Sequence, residues 1–176
     1  MQSWSVDEQR MHFRQGEKEN SMKIKTRLFG EIDIQDEKII TLDKGIVGFP
    51  DLKKFTLIYD EEKGDDHDTI MWFQSIDEPQ FAMPVVLPIV IKPDYNPTIN
   101  DELLLPLGDL TEENTYVLVT IKVPSDPTQM SVNLKAPIII NTDTLKGGQL
   151  IVEDDEYEVR FPIYDILKKA KEEAGE

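Results

Sequence analysis

From Lys23 onward the chain never sustains a long apolar run. Its apolar residues come in short bursts or alternate with polar ones, and Gly, Pro, Asn and Asp break the sequence between bursts. Alternation with period two puts successive side chains on opposite faces of an extended strand, and the punctuating residues supply turns. The pattern predicts strands at 23–28, 31–35, 38–42, 55–60, 69–76, 81–90, 116–123, 131–140 and 148–153. The clearest is Tyr116 to Val123, where Val117, Val119, Ile121 and Val123 share a uniformly apolar face that is expected to point into the core. Pro84 and Pro88 lack an N–H for a ladder, so the strand that carries them should be an edge, or be bulged or bent. Gly147 and Gly148 fit a turn.

Two segments depart from this pattern. Asn100 to Leu105 predicts one helical turn with Asn100 or Asp101 as N-cap, limited by Pro106 and Gly108. From Ile163 the period changes: Ile163, Ile166, Leu167, Ala170 and Ala174 fall three or four apart, which predicts an amphipathic helix docked on the rest of the fold. The first 21 residues have no periodicity and read as a flexible tail. A chain of 176 residues buries about 70% of its unfolded surface as one unit, enough for one sizeable core. The expected architecture is mainly β: a small antiparallel β-barrel or compact sandwich over residues 22–162, with a C-terminal helix over 163–176.

Charge narrows the choice of partner. The net charge of −16 is local: residues 60–68 carry −5, residues 94–113 carry −6 and residues 153–158 carry −5, while the other residues hold equal numbers of acids and bases. Nucleic acid and anionic membranes are disfavoured as direct partners, because binding to phosphates relies on Lys and Arg. Acidic loops gathered on one side would instead steer a cationic protein surface, and Glu61, Glu62, Asp65, Asp66, Asp154, Asp155 and Glu156 are the candidate contacts. A solvated, solubilising role is the plain alternative.

Signatures of catalysis are missing from the sequence. There is no Cys, and only His12 and His67 could serve as imidazole bases; no Ser sits on a nucleophile turn. The run Asp60 to Asp68 resembles a calcium loop in composition, but Gly64 stands where a ligand is needed. No metal and no cofactor are expected. No apolar stretch suits a membrane span, and the start does not read as a secretion signal, so a cytoplasmic protein is expected, with a monomer favoured. A binding module needs apolar anchors, and Gly45-Ile-Val-Gly-Phe-Pro50 is the best candidate, with Ile46 and Phe49 large for a turn.

Those residues belong to a wider pattern. Met22-Lys-Ile-Lys-Thr-Arg-Leu-Phe-Gly30, Gly45-Ile-Val-Gly-Phe49, Leu52-Lys-Lys-Phe55, Trp72-Phe-Gln-Ser75, Asn133-Leu-Lys-Ala-Pro-Ile-Ile-Ile-Asn141 and Gly148-Gln149 follow in an order that closely resembles the FliW family of bacterial flagellar assembly factors. The resemblance covers about residues 22–163. The 21-residue leader lies outside the family pattern, and Leu42-Asp43-Lys44 replaces the more usual Phe-Pro before the glycine turn.

The resemblance implies a non-enzymatic cytoplasmic protein with a β-barrel-like fold. It implies two partners, flagellin and the RNA-binding carbon storage regulator CsrA, whose repression of flagellin translation is relieved on binding. At least one acidic run is then expected to meet CsrA, and Ile46 and Phe49 to meet flagellin. Two rival functions are a small carboxylate-dependent hydrolase, which needs buried acids lining a deep pocket, and an acidic mimic of nucleic acid.

Overall fold

Here the short strands separated by turn formers bury both their faces by curling into a closed sheet with a second core packed outside it. The structure, a computed structural model, describes residues 20–59 and 70–173. In chain order the strands are β1 (Ser21–Thr26), β2 (Gly30–Gln35), β3 (Ile40–Leu42), β4 (Lys54–Ile58), β5 (Met71–Ser75), β6 (Ala82–Val86), β7 (Thr115–Lys122), β8 (Ser131–Val132), β9 (Ile138–Asn141), β10 (Lys146–Gln149) and β11 (Phe161–Pro162). Among the described residues three α-helices accompany them, α1 (Pro88–Ile91), α2 (Asp101–Leu104) and α3 (Tyr164–Glu173), with three short 3-10 turns at Asp36–Lys38, Leu105–Leu107 and Pro127–Gln129.

Seven strands close a ring. The order runs β7, β6, β5, β4, β3, β10 and β9, and β9 returns to pair with β7 through Thr115↔Asn141 to Leu118↔Ile138. All neighbours in the ring are antiparallel except β10 and β3, which pair in parallel through Lys146↔Thr41 and Gly147↔Leu42. Closure removes the unpaired edges that an open sheet would expose. The hairpin of β1 and β2 forms a separate two-stranded sheet over Ile24, Ile34 and Ile76.

The closed ring divides the core. Leu42, Phe55, Phe73, Val85, Leu118, Ile138 and Ile140 fill the barrel interior, where the rings of Phe55 and Phe73 stack with centroids 4.3 Å apart. Their sequence neighbours Val86, Val117, Val119 and Ile139 point the other way, into a second core with Ile91, Tyr95, Leu107, Val152, Tyr157 and Ile163. The Val117 face of β7 is thus buried outside the barrel, and the opposite face, Tyr116 and Leu118, lines the inside. Val123, expected to be buried, lies beyond the end of β7 and is 55% exposed.

Several expected elements shift for identifiable reasons. The predicted strand 131–140 is split: the register with β7 advances by three residues between Ile121↔Val132 and Leu118↔Ile138. The extra residues loop out at Asn133, whose side chain accepts from the backbone N–H groups of Lys135 (3.0 Å) and Ala136 (3.1 Å). The strand predicted at 81–90 stops at Val86, because Pro88 opens α1. Pro84 lies within a ring strand, opposite Trp72 of β5, and pairing with β7 begins only at Val85, so its missing N–H breaks no bond to β7. Gly147 and Gly148 are part of β10, and the turn comes earlier, over 142–145, with the Leu145 N–H on the Asn141 carbonyl. The strand predicted at 148–153 therefore lies at 146–149. β1 spans Ser21–Thr26, two residues earlier at each end than the strand predicted at 23–28.

Local signals are recovered elsewhere. Asn100 caps α2, accepting from the Glu102 N–H at 2.9 Å. α3 rests its Ile166 and Leu167 side chains on the outer core beside buried Ile163, while Lys168, Lys169 and Lys171 face solvent.

Candidate partner-binding surfaces

The glycine turn is built by its backbone. Ile46 and Phe49 exchange N–H groups and carbonyls across Val47 and Gly48, at 3.3 and 2.9 Å. Gly45 and Gly48 both hold positive φ, +66° and +88°. A Cβ on Gly45 would fall 2.5 Å from the Phe49 carbonyl oxygen, so only glycine lets the chain close here. The turn sorts its apolar residues: Ile46 is 4% exposed and belongs to the barrel core, whereas Val47 and Phe49 are 59% and 48% exposed. Gln149 locks the turn to β10, its side-chain oxygen accepting from the Val47 N–H at 2.8 Å. Phe49 packs on Phe81 with ring centroids 4.9 Å apart. Buried Gln74 holds that neighbour in place, donating to the carbonyls of Pro79 (2.9 Å) and Phe81 (3.2 Å). The surface formed is Val47, Phe49 and Phe81, with Ile46 beneath it.

Two of the acidic runs meet. Asp154 accepts from both the backbone N–H and the hydroxyl of Thr98, and the Glu153 N–H donates to the Thr98 carbonyl at 2.9 Å. Two residues away the Tyr157 hydroxyl accepts from the Asn96 N–H at 3.0 Å. The rings of Tyr95 and Tyr157 meet edge to face at 4.7 Å, and the Tyr95 hydroxyl donates to the Leu134 carbonyl at 2.7 Å. Burial, with smaller contributions from Tyr157 and Asp154, pushes the Tyr95 phenol well above the usual tyrosine range. Segments 94–113 and 153–158 thus lie side by side. Asp155 and Glu156 are exposed, whereas the Asp154 carboxylate is occupied within the fold. Lys135 is the nearby cation, donating to the Asp154 carbonyl at 2.8 Å and lying 3.8 Å from the Asp155 carboxylate. Glu61, Glu62, Asp65 and Asp66 lie outside the described residues.

A third feature gave no signal in the period-two pattern. Segment 93–110 passes over the outer face of β7 and β9 and leaves a cleft of about 690 Å³, lined by Ile89, Pro93, Ile99, Leu104, Leu110, Val117 and Ile139 among others. Its wall is fixed by two buried amides. Asn141 donates to the carbonyls of Leu107 (2.8 Å) and Asp109 (3.2 Å), and Asn114 donates to Asp109 (2.8 Å) while accepting from the Thr111 N–H. The one hint in the sequence was the spacing of Pro93, Pro97 and Pro106 through a segment with isolated apolar residues, which suits neither a strand nor a helix.

Among the described residues, no cluster of three or more His, Asp or Glu is placed to hold a metal ion, and no helix is long and apolar enough to cross a membrane.

Comparison with known proteins covers nearly all of the described fold. The family described as "FliW protein" matches residues 23–163. A flagellar assembly factor FliW of Lachnospira eligens is 53% identical over 149 residues, covering 84% of this chain and 98% of that protein. One from Lachnoclostridium phytofermentans is 48% identical over 156 residues, covering 88% and 99%. A crystal structure of the flagellar assembly factor FliW superposes with a TM-score of 0.72 at 26% identity, covering 81% of this chain and 97% of that one. Mainly β architecture and sequence agree over the same span, and the chain belongs to the FliW family of flagellar assembly factors.

Proposed function

We propose that the protein works in the cytoplasm as a non-catalytic partner switch. It binds flagellin and the translational regulator CsrA, and by occupying CsrA it relieves repression of flagellin translation. Membership of the FliW family supports the assignment to flagellar assembly. The observation that supports the CsrA half is the seam at Thr98 and Asp154, which sets two acidic runs side by side. An RNA-binding regulator presents Lys and Arg, and a concentrated field of opposite sign accelerates its approach and fixes its orientation. The flagellin half rests on the exposed pair Val47 and Phe49 on a turn rigid enough to cost little ordering on binding. A hydrolase would need carboxylates in its pocket, and the lining of the 690 Å³ cleft contains none.

Charge reversal tests the acidic face. One variant reverses Asp155, Glu156 and Glu158, a second Asp101, Glu102 and Asp109, and a third Glu61, Glu62, Asp65 and Asp66, each titrated calorimetrically against CsrA. Asp154 is kept, because it holds the seam. Weaker binding with a shallower salt dependence is expected in at least one; unchanged affinity and salt slope in all three would end the proposal. Phe49→Asp should lower flagellin recovery in a pull-down without changing CsrA binding. Competition between RNA and the protein for CsrA separates direct mimicry of nucleic acid from binding beside the RNA site.

A further inference from the structure

We propose that the cleft on the outer face of the barrel is a docking site for a short apolar segment of a protein partner that carries Lys or Arg beside its apolar side chains. This inference is independent of the identities proposed above: flagellin and CsrA could both fail to bind and leave it standing.

Size and lining come first. About 690 Å³ lies within the range of ligand-binding clefts, and Ile89, Ile99, Leu104, Leu110, Val117 and Ile139 make it aliphatic. Concave aliphatic surface of this kind gains most from an occupant that displaces water with apolar side chains. Its polar members are few, Tyr95, Asn96 and Thr115. The Thr115 hydroxyl is already given to the Thr111 carbonyl, and the Tyr95 hydroxyl to the Leu134 carbonyl.

The cleft is also preformed. Asn141 and Asn114 pin segment 107–114 from below, Thr98 is tied to Asp154, and Asn100 caps α2. A wall held at so many points does not have to be ordered by its ligand, which lowers the cost of binding a short segment.

Charge selects among apolar ligands. Residues 93–121 contain no Lys or Arg, and the segment that covers the cleft carries exposed acids at Asp94, Asp101, Glu102 and Asp109, followed in the chain by exposed Glu112 and Glu113, none of them part of the lining itself. Asp94 is met by Lys92 at 3.2 Å. The seam at Thr98 sets the acidic run 153–158 against this segment. A fatty acid, a nucleotide or an acidic peptide would bring its negative charge into this field, whereas a flanking Lys or Arg would be drawn in and set the direction of the segment.

The test pans a random displayed-peptide library on the immobilised full chain, with Leu104→Lys as counter-selection. The best synthetic peptide is then measured by fluorescence anisotropy against the parent, Leu104→Lys and Glu102→Lys. Expected sequences have an apolar centre flanked by Lys or Arg. Affinity should fall on the order of tenfold or more with Leu104→Lys and roughly two- to fivefold with Glu102→Lys, the latter loss vanishing at high salt. Glu102 is exposed, so that variant keeps the test decisive if Leu104→Lys does not fold. Three results would overturn the inference: no peptide favouring the parent over Leu104→Lys, enrichment of acidic sequences, or a concentration-dependent dimer that Leu104→Lys abolishes, which would make a second copy the occupant.

Discussion

Gly45 and Gly48 share a backbone requirement and differ in one steric term, so paired substitutions isolate that term. Both residues have positive φ, +66° and +88°. An L-residue in this region costs about 1–2 kcal/mol, and replacing Gly by Ala returns about 0.4–1 kcal/mol by restricting the unfolded chain. Nothing lies within 4 Å of a Cβ added at Gly48, so Gly48→Ala should destabilise by about 0–1.5 kcal/mol. At Gly45 the new methyl meets the Phe49 and Pro50 carbonyl oxygens at 2.5 and 2.6 Å. Both are backbone atoms of the same tight turn and cannot swing aside as a side-chain end would. Forcing a methyl into such a space adds about 1–3 kcal/mol, so Gly45→Ala should lose about 1–4.5 kcal/mol in all. Urea unfolding followed by far-ultraviolet circular dichroism and by tryptophan fluorescence, with Trp72 in β5 as a reporter, gives both values at constant slope. Gly48→Asn, which tolerates left-handed backbone, should lie near the parent. If Gly45→Ala and Gly48→Ala agree within about 0.5 kcal/mol, the steric account of this turn is refuted. If Gly45→Ala proves more costly as expected, it should also weaken whatever binds Val47 and Phe49, because the turn must shift to relieve the overlap.

Three further outcomes follow from the polar contacts. Asn141→Asp keeps the shape but replaces the donor facing the Leu107 and Asp109 carbonyls with a buried carboxylate; about 3 kcal/mol or more should be lost near neutral pH, shrinking in acid as the carboxyl regains a proton, with faster hydrogen exchange along 105–111 as the readout. Asp154→Ala removes the bonds to Thr98 and should cost about 1–2 kcal/mol in urea unfolding, with the loss concentrated in the 96–100 and 153–157 segments. Burial raises the phenols of Tyr95 and Tyr116 above the ordinary tyrosine value, Tyr157 and Asp154 adding to the first and Tyr59 to the second. Above about pH 10 the unfolded chain releases protons that the folded one keeps, so the stability these groups contribute is complete below that pH and declines above it. Urea midpoints of the parent should therefore fall more steeply with alkaline pH than those of a Tyr95→Phe/Tyr116→Phe double variant, and parallel curves would remove the assignment.

What was legible in the sequence was local. Turn formers between short apolar bursts specify strands, Asn100 specifies a cap because its side chain reaches the Glu102 N–H within one turn, and the spacing of Ile163, Ile166 and Leu167 specifies a helix. Even the glycine turn was visible, since two glycines around two large apolar residues have few other uses. The split between β8 and β9 was not. Residues 131–140 alternate well enough to read as one strand, and only pairing with β7 reveals three extra residues that leave the ladder to bond with segment 150–158.

Sequence by itself determined that this chain is a β protein, that its acidity sits in three runs and that its pattern is that of the FliW family. Tertiary structure decided which side of each strand faces which core. Period two distinguishes the two faces of β7 but does not tell inside from outside, and closure through β9 and β7, with the parallel pair β10 and β3, leaves both buried. The same closure sends Ile46 into the barrel and leaves Phe49 on its rim. It also brings Thr98 against Asp154, 56 positions apart, joining two acidic runs and shaping the cleft beside them. Alternation and capping act over a few residues, whereas these contacts exist only once a closed sheet has fixed where distant segments must pass.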